Sequence, residues 1–292
     1  MKHEDFRETA FAPRDPEATG TSPLGWFATA ARRQGRLSWL VTFACALLLV
    51  AVVADGPVRQ LARSLDPSVV AVLRAVTQFG NSAWPVGLSL LFLAAATIVS
   101  RRPNPFAPEA LGNLRSALIL VIGSVMISGT IASLTKNMIG RARPPMGPDT
   151  QVFEFAMMSF RASWASFPSG HATTATACAI ALAVIFPRQA FAWLAIGLTA
   201  ALSRAFLGVH WLTDCLAGIA LGALVSLTLR RWMEARQHKF QVEPAFVLRV
   251  SVLGCILALG AGYRLTKEAV RRAGRFLRRA ATRFGNGPAP RP

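Results

Sequence analysis

Apolar residues along the chain gather into runs at 37–54, 84–99, 117–134, 171–186, 190–208 and 214–229, separated by short polar stretches. A helix needs roughly 17 to 25 such residues to cross the hydrocarbon of a bilayer, and the shorter runs gain length from their polar flanks. These runs therefore predict six membrane-spanning helices. Between the first two, residues 57–80 alternate charges with Leu61, Leu65, Val69, Val72, Leu73 and Val76 at helical spacing. That pattern fits either an amphipathic helix in the membrane interface or a connecting helix packed on the bundle. The fold class expected is all-α, a polytopic six-transmembrane-helix bundle at 32–235. It is preceded by a Pro- and Thr-rich flexible tail at 1–31 and followed by an apolar segment and a basic amphipathic tail at 236–292.

Charges in the short loops orient the bundle. Arg32, Arg33 and Arg36 precede the first run, Arg101, Arg102 and Arg115 lie between the second and third, Arg188 lies between the fourth and fifth, and Arg230 and Arg231 follow the sixth. Threaded in order, all fall on one side, which the positive-inside tendency makes cytoplasmic. Residues 245–262 form a seventh apolar stretch that contains Arg249 and precedes a basic tail including Arg264, Lys267, Arg271, Arg272, Arg275, Arg278, Arg279 and Arg283. Crossing the membrane would export that tail, so the expectation is that it stays on the inner leaflet. The first run is longer than a signal-peptide core, has a long leader and is followed by no small-residue cleavage pattern, so it is read as a span.

Composition adds limits. The chain is 53% hydrophobic and 16% charged, with a formal net charge of +18. No nucleic-acid-binding module accompanies that charge, and its place between apolar runs and in the tail fits a membrane surface, so no nucleic-acid partner is expected. Cys45, Cys178, Cys215 and Cys255 stand singly inside apolar stretches, without the spacing of a zinc site or disulfide framework.

Three polar segments fall at span ends on the non-cytoplasmic side. The first is 136–144, KNMIGRARP, where Lys136 and Arg143 share a face if the helix continues past Lys136, and together could clamp a phosphate. Taken alone, Lys136 fits headgroup anchoring at a span end better. In the second, PSGH at 168–171, Pro168 stops the preceding chain, Ser169 can cap, and Gly170 lets backbone approach a ligand at a helix N-terminus, where free amides favour phosphate. His171 follows. In the third, SRAFLGVHWLTD at 203–214, His210 and Asp214 are one helical turn apart. The carboxylate can hold one imidazole nitrogen and leave the other bare, provided the helix starts early enough.

These segments resemble the three signature motifs of the type 2 phosphatidic acid phosphatase superfamily, KxxxxxxRP, PSGH and SRxxxxxHxxxD, and meet every fixed position. The resemblance covers about residues 136–214 at the level of motifs, and the spans around it are similar to the membrane branch. It implies that Lys136, Arg143, Ser169, Gly170 and Arg204 bind the substrate phosphate. It also implies that His210 is the nucleophile, Asp214 its orienter and His171 the acid for the leaving oxygen, with no metal and no cofactor. The implied activity is hydrolysis of a lipid phosphomonoester or diphosphate through a phosphohistidine: phosphatidic acid, phosphatidylglycerophosphate, undecaprenyl diphosphate or a lipid A phosphate. The site would face the periplasmic or outer side of a cell inner membrane, with the membrane and a lipid phosphate as partners; the motifs do not bear on oligomeric state. The alternative class is a membrane lipid carrier or binding protein, but spans one to three do not repeat four to six, as many transporters would. The soluble vanadate-dependent haloperoxidases of the same superfamily do not fit the spans.

Overall fold

The computed structural model describes residues 36–101, 106–147, 149–260 and residues 268, 272 and 275. The expected tail at 1–31, Arg32, Arg33, Arg102 and the rest of the basic C-terminal tail lie outside the described residues. Two compact units divide between Leu48 and Leu49. The first holds most of helix α1, Arg36–Val53, whose Trp39, Leu40 and Phe43 side chains are exposed.

The second unit begins with two short helices, α2 (Asp55–Arg63) and α3 (Pro67–Val76), and a 3-10 turn, Thr77–Gly80. The charged stretch is thus two helices, not one. Asp66 caps α3 by accepting from the Ser68 amide at 2.8 Å, and Pro67 takes a first-turn position where its missing N–H costs nothing. Both helices pack on the bundle, the second of the two readings left open by their spacing. Leu61, Val69 and Val72 remain exposed on the opposite side.

Then come α4 (Ala83–Ser100), α5 (Pro108–Ile139), α6 (Gly170–Ile185), α7 (Ala190–Phe206), α8 (Leu212–Glu234) and α9 (Pro244–Gly260). The described residues contain no named strand, and the molecule is a membrane protein of helices, as its apolar runs require. Each of the six runs lies within or along one helix. Among the described residues, three helical stretches are by length and composition alone sufficient to cross a membrane, or four if the α1–α2 pair counts as one broken span, so the six runs are matched as helices and not as a count of six crossings. The longest single helix, α5, has 32 residues, so at 1.5 Å per residue it rises about 48 Å and its ends project beyond a hydrocarbon core of about 30 Å.

Helix α6 sits at the centre, against α5, α7 and α8. Its sequence, GHATTATACAIALAVI, is built of small side chains because neighbours approach its backbone closely. On α8, a Cβ added at Gly218 would lie 2.6 Å from the Ser169 carbonyl oxygen and one at Gly222 would lie 2.5 Å from that of Thr173. Small residues spaced by four are the usual means of close helix contact in a membrane, where dispersion replaces the hydrophobic effect.

Helix α9 docks on α4 and α5. Val250 is buried in a cluster with Ala96, Val99, Leu111, Leu114 and Leu118, and Gly254 faces Ala95 so closely that an added Cβ would lie 2.5 Å from the alanine methyl. Leu248, Val252, Ile256 and Leu259 are exposed on its other side.

Candidate active site

The C-terminal ends of α5 and α7 and the N-terminal ends of α6 and α8 meet at one end of the bundle, bringing all three polar segments together. Lys136 stands in the last turn of α5. The helix stops at Gly140, which adopts the left-handed conformation (φ 64°) that a side chain there would oppose, so it does not run on to Arg143. The shared helical face expected for Lys136 and Arg143 therefore does not exist. The chain turns at Gly140 and returns Arg143 to the site, where its guanidinium donates to the Ala165 carbonyl at 3.2 and 3.3 Å and acts on the Lys136 charge.

Ser169 caps α6 through the Ala172 amide at 3.5 Å, while its own amide donates to the Asp214 carbonyl at 3.0 Å. The Gly170 and His171 amides occupy the first helical turn, where a helix offers no acceptor, so they are available to an anion. A Cβ on Gly170 would lie 3.1 Å from Lys136 Nζ, so the glycine makes room for the ammonium. Arg204 ends α7, and its buried Nε has no hydrogen-bond partner among the described residues. Lys136, Arg143 and Arg204 are each half-buried and none pairs with a carboxylate among the described residues, although the charges of Arg143 and Arg204 act on Lys136. Asp214, which attracts Lys136 and Arg143, is itself paired with Arg141, so the three cations still oppose one another and an oxyanion relieves that opposition.

His210 lies in the turn before α8, is 4% exposed, and turns Nδ1 toward Asp214 Oδ2 at 3.5 Å. That is longer than a good N–H···O bond. Because α8 starts only at Leu212, the two residues do not share a helical turn. The Ser166 hydroxyl fills the gap, 2.5 Å from Asp214 Oδ2 and 3.5 Å from His210 Nδ1. With Nδ1 engaged, Nε2 is the nitrogen left for chemistry. Burial holds the His210 imidazole below its ordinary pKa, the Asp214 carboxylate opposes this, and Arg143 and Arg204 add to it. The result favours a neutral, nucleophilic ring. Burial also lowers Arg143, against the pull of Asp214, though a guanidinium remains charged. The charges of Arg204, His210, Lys136 and Arg143 all act on His171, which places it within the cradle.

Beneath the two histidines a buried ionic chain runs on from Asp214 to Arg141 and Asp55, to which the motifs assign no role. Arg141 donates from Nη1 to Asp214 Oδ1 at 2.6 Å and to Thr213 Oγ1 at 2.7 Å, and from Nη2 to Asp55 Oδ2 at 2.8 Å. Asp55, the first residue of α2 and 1% exposed, also accepts from the Thr213 amide at 2.9 Å and hydroxyl at 2.6 Å. One turn along, Arg59 donates to the carbonyls of Pro144, Gly147 and Thr150, and its guanidinium lies 5.3 Å from the Trp211 ring, which has Arg141 at 5.4 Å. Helix α2 thus braces the site from below.

A groove of about 450 Å³ beside the cradle, lined by Met126, Gly129, Ser133, Lys136, Gly170 and His171 among others, opens between α5 and α6. A larger cavity of about 840 Å³ lies at the opposite end of the bundle, near Glu109, Arg230 and His238, and contains none of these groups. Among the described residues no three His, Cys, Asp or Glu side chains cluster as metal ligands.

Comparison with known proteins agrees with the motifs. The chain is 34% identical over 188 residues to a lipid A 1-phosphatase of Rhizobium johnstonii, covering 62% of this chain and 74% of that one. It is 30% identical over 161 residues to a decaprenylphosphoryl-5-phosphoribose phosphatase of Mycobacterium tuberculosis, covering 54% of this chain and 77% of that one. A PAP2-type phosphatidylglycerolphosphate phosphatase structure from Bacillus subtilis aligns with a TM-score of 0.47 at 21% identity, over 67% of this chain and 96% of that one. The sequence profile of the PAP2 superfamily matches residues 117–238, and with the relatives' extent of identity this establishes that the chain belongs to the PAP2 superfamily.

Proposed function

We propose that this membrane lipid phosphatase removes the terminal phosphate of a lipid phosphomonoester or diphosphate, through a phosphohistidine on His210 and without a metal ion. The observation that carries the reading is the convergence of three cations that form no ion pair among the described residues, Lys136, Arg143 and Arg204, on the two histidines at one end of the bundle. The cations and the Gly170 and His171 amides hold the equatorial oxygens of a phosphoryl group, where fixed charge stabilises a trigonal-bipyramidal transition state. His210 Nε2 forms a bond to phosphorus as the bond to the lipid oxygen breaks, and His171 delivers its proton to that leaving oxygen. His171 then removes a proton from water as the water oxygen attacks phosphorus and the P–N bond breaks, releasing inorganic phosphate and restoring both rings. Asp214, with Ser166 and Arg141 behind it, holds the His210 tautomer.

The site faces the non-cytoplasmic side of an inner membrane, by the Arg distribution of the loops. The lipid A 1-phosphatase relatives make a lipid A 1-phosphate the first substrate for trial, with a prenyl-linked phosphosugar second. Purified protein in detergent and EDTA, assayed for phosphate release from lipid A, a prenyl-linked phosphosugar, phosphatidylglycerophosphate, phosphatidic acid and undecaprenyl diphosphate, tests both parts. Release from any of them, abolished by His210→Ala, supports the chemistry and ranks the substrates. Turnover preserved in His210→Ala, or restored to EDTA-treated enzyme only by Mg²⁺, overturns it.

A further inference from the structure

The segment after Arg143 presents Phe153, Phe155, Met157, Met158 and Phe160 with 52%, 47%, 78%, 58% and 67% of their surfaces exposed. Large apolar side chains clustered in this way mark a surface that something covers. The structure also indicates what covers it. The segment runs back along the end of α5: the Ala142 amide donates to Glu154, the Ala156 amide to the Gly140 carbonyl at 2.7 Å, and the Met158 amide to the Met138 carbonyl at 3.4 Å. Met138 in turn ends an exposed apolar stripe on α5 made by Ile127, Ile131, Leu134 and Met138, at steps of four, three and four residues. Such a stripe on a helix this long and apolar faces hydrocarbon. The backbone bond between Met158 and Met138 sets the loop cluster beside the end of that stripe.

The backbone is shaped for this. Met158 and Phe160 have φ of 58° and 51°, the left-handed region that bulky side chains avoid. An extended strand would turn alternate side chains inward, whereas here Met157, Met158 and Phe160 are all exposed. Between Phe153 and Phe160 the only charge is Glu154, and the next residue, Arg161, is exposed and cationic. An apolar hook ending in a basic residue suits acyl chains below and lipid phosphates above.

We propose that residues 153–160 form a hook inserted into the leaflet at the catalytic end of the bundle, with lipid acyl chains as its partner. Because Arg141 pairs in a bridge with Phe155 and Arg143 lies two residues further on, the hook fixes the phosphate cradle at the depth of lipid headgroups. The test uses the full chain in nanodiscs of phosphatidylethanolamine and phosphatidylglycerol. Cys45 and Cys255, both exposed, are replaced by Ser, while buried Cys178 and Cys215 are kept. An environment-sensitive fluorophore is attached at Met157→Cys, at Phe153→Cys as a second position should the first fold poorly, and at the exposed loop residue Asp149→Cys for reference. The hook predicts blue-shifted emission at 157 and 153, quenched strongly by spin-labelled acyl chains and weakly by aqueous iodide, with the opposite pattern at 149. Iodide quenching at 157 and 153 equal to that at 149 overturns the proposal. So does shielding from both quenchers that disappears when each nanodisc holds one copy, since a second protein molecule would then be the cover.

Discussion

Replacing Asp55 tests whether the chain Asp55–Arg141–Asp214 supports catalysis. Asp55→Ala removes three contacts at once, to Arg141 Nη2 at 2.8 Å and to the Thr213 amide and hydroxyl at 2.9 and 2.6 Å. Stripping one partner from a buried ion pair costs about 3–5 kcal/mol, because the remaining charge stays desolvated. Part of this is recovered here, since Arg141 retains Asp214. A loss near the lower figure is expected, a large share of a total stability of about 5–15 kcal/mol, and visible as a lower unfolding midpoint in detergent. Asp55→Asn keeps an oxygen for the Thr213 amide but loses the charge, so it separates packing from electrostatics.

The electrostatic consequence has a definite sign. The charges acting on His210 are Asp214 on α8, Arg204 on α7, His171 on α6 and Arg143 on the turn after α5, and Asp55 is linked to this set through Arg141, which pairs with both Asp214 and Asp55. Removing one negative charge from this set disfavours imidazolium, so the His210 pKa falls further. At an effective dielectric constant of about 20, a unit charge is worth about 1.4 kcal/mol, or about one pH unit, out to roughly 12 Å. Neutral His210 is the reactive form, so the acid limb of kcat/KM for Asp55→Asn moves to lower pH, by up to about one unit. The plateau kcat falls because a less basic nitrogen attacks more slowly. Phosphate release from a short-chain lipid phosphate across the pH range measures both. An Asp55→Asn protein with an unmoved acid limb and wild-type kcat would refute the coupling, whatever its stability.

In the wild type, the same acid limb should lie below the ordinary histidine range, because burial lowers His210; activity is lost as pH falls through that value, and a limb at or above the ordinary range would contradict the assignment. Arg143→Lys and Arg204→Lys should each lose about 10²-fold or more in kcat, since charge remains but the fork does not, and full activity in either would remove that residue from the cradle. His171→Ala should cost about 10²–10⁴-fold on a lipid alkyl phosphate but much less on an aryl phosphate, which leaves without a proton, whereas His210→Ala should be inactive on both. Gly222→Val should lower the unfolding midpoint by an amount equivalent to about 1–3 kcal/mol, because its added carbons meet the α6 backbone at Thr173.

The difference between the residues legible in the sequence and those that were not follows from how each meets its partners. Lys136, Arg143, Ser169, His171, Arg204, His210 and Asp214 stand out because polar groups at the ends of apolar runs are costly unless used, and their spacing repeats a known pattern. The helices were legible for the same reason, since a run of apolar residues leaves the backbone only one way to satisfy its hydrogen bonds in lipid. The brace was not legible. Asp55 reaches Arg141 across 86 positions and Thr213 across 158, and an acid immediately after an apolar run looks like an ordinary helix start. Ser166 carries no signal in the sequence, since a serine in a loop is ordinary, and only the fold sets its hydroxyl between His210 and Asp214. Two local expectations, that Lys136 and Arg143 share a helix and that His210 and Asp214 share a turn, depended on helix limits that Gly140 and Leu212 set otherwise. In both cases the groups still reach one site, because tertiary packing and not helical phase brings them there. The motif spacing therefore reflects the length of chain needed to turn out of one helix and back into the site, and a deletion of the two residues between Gly140 and Arg143 should abolish phosphate release from a lipid phosphate.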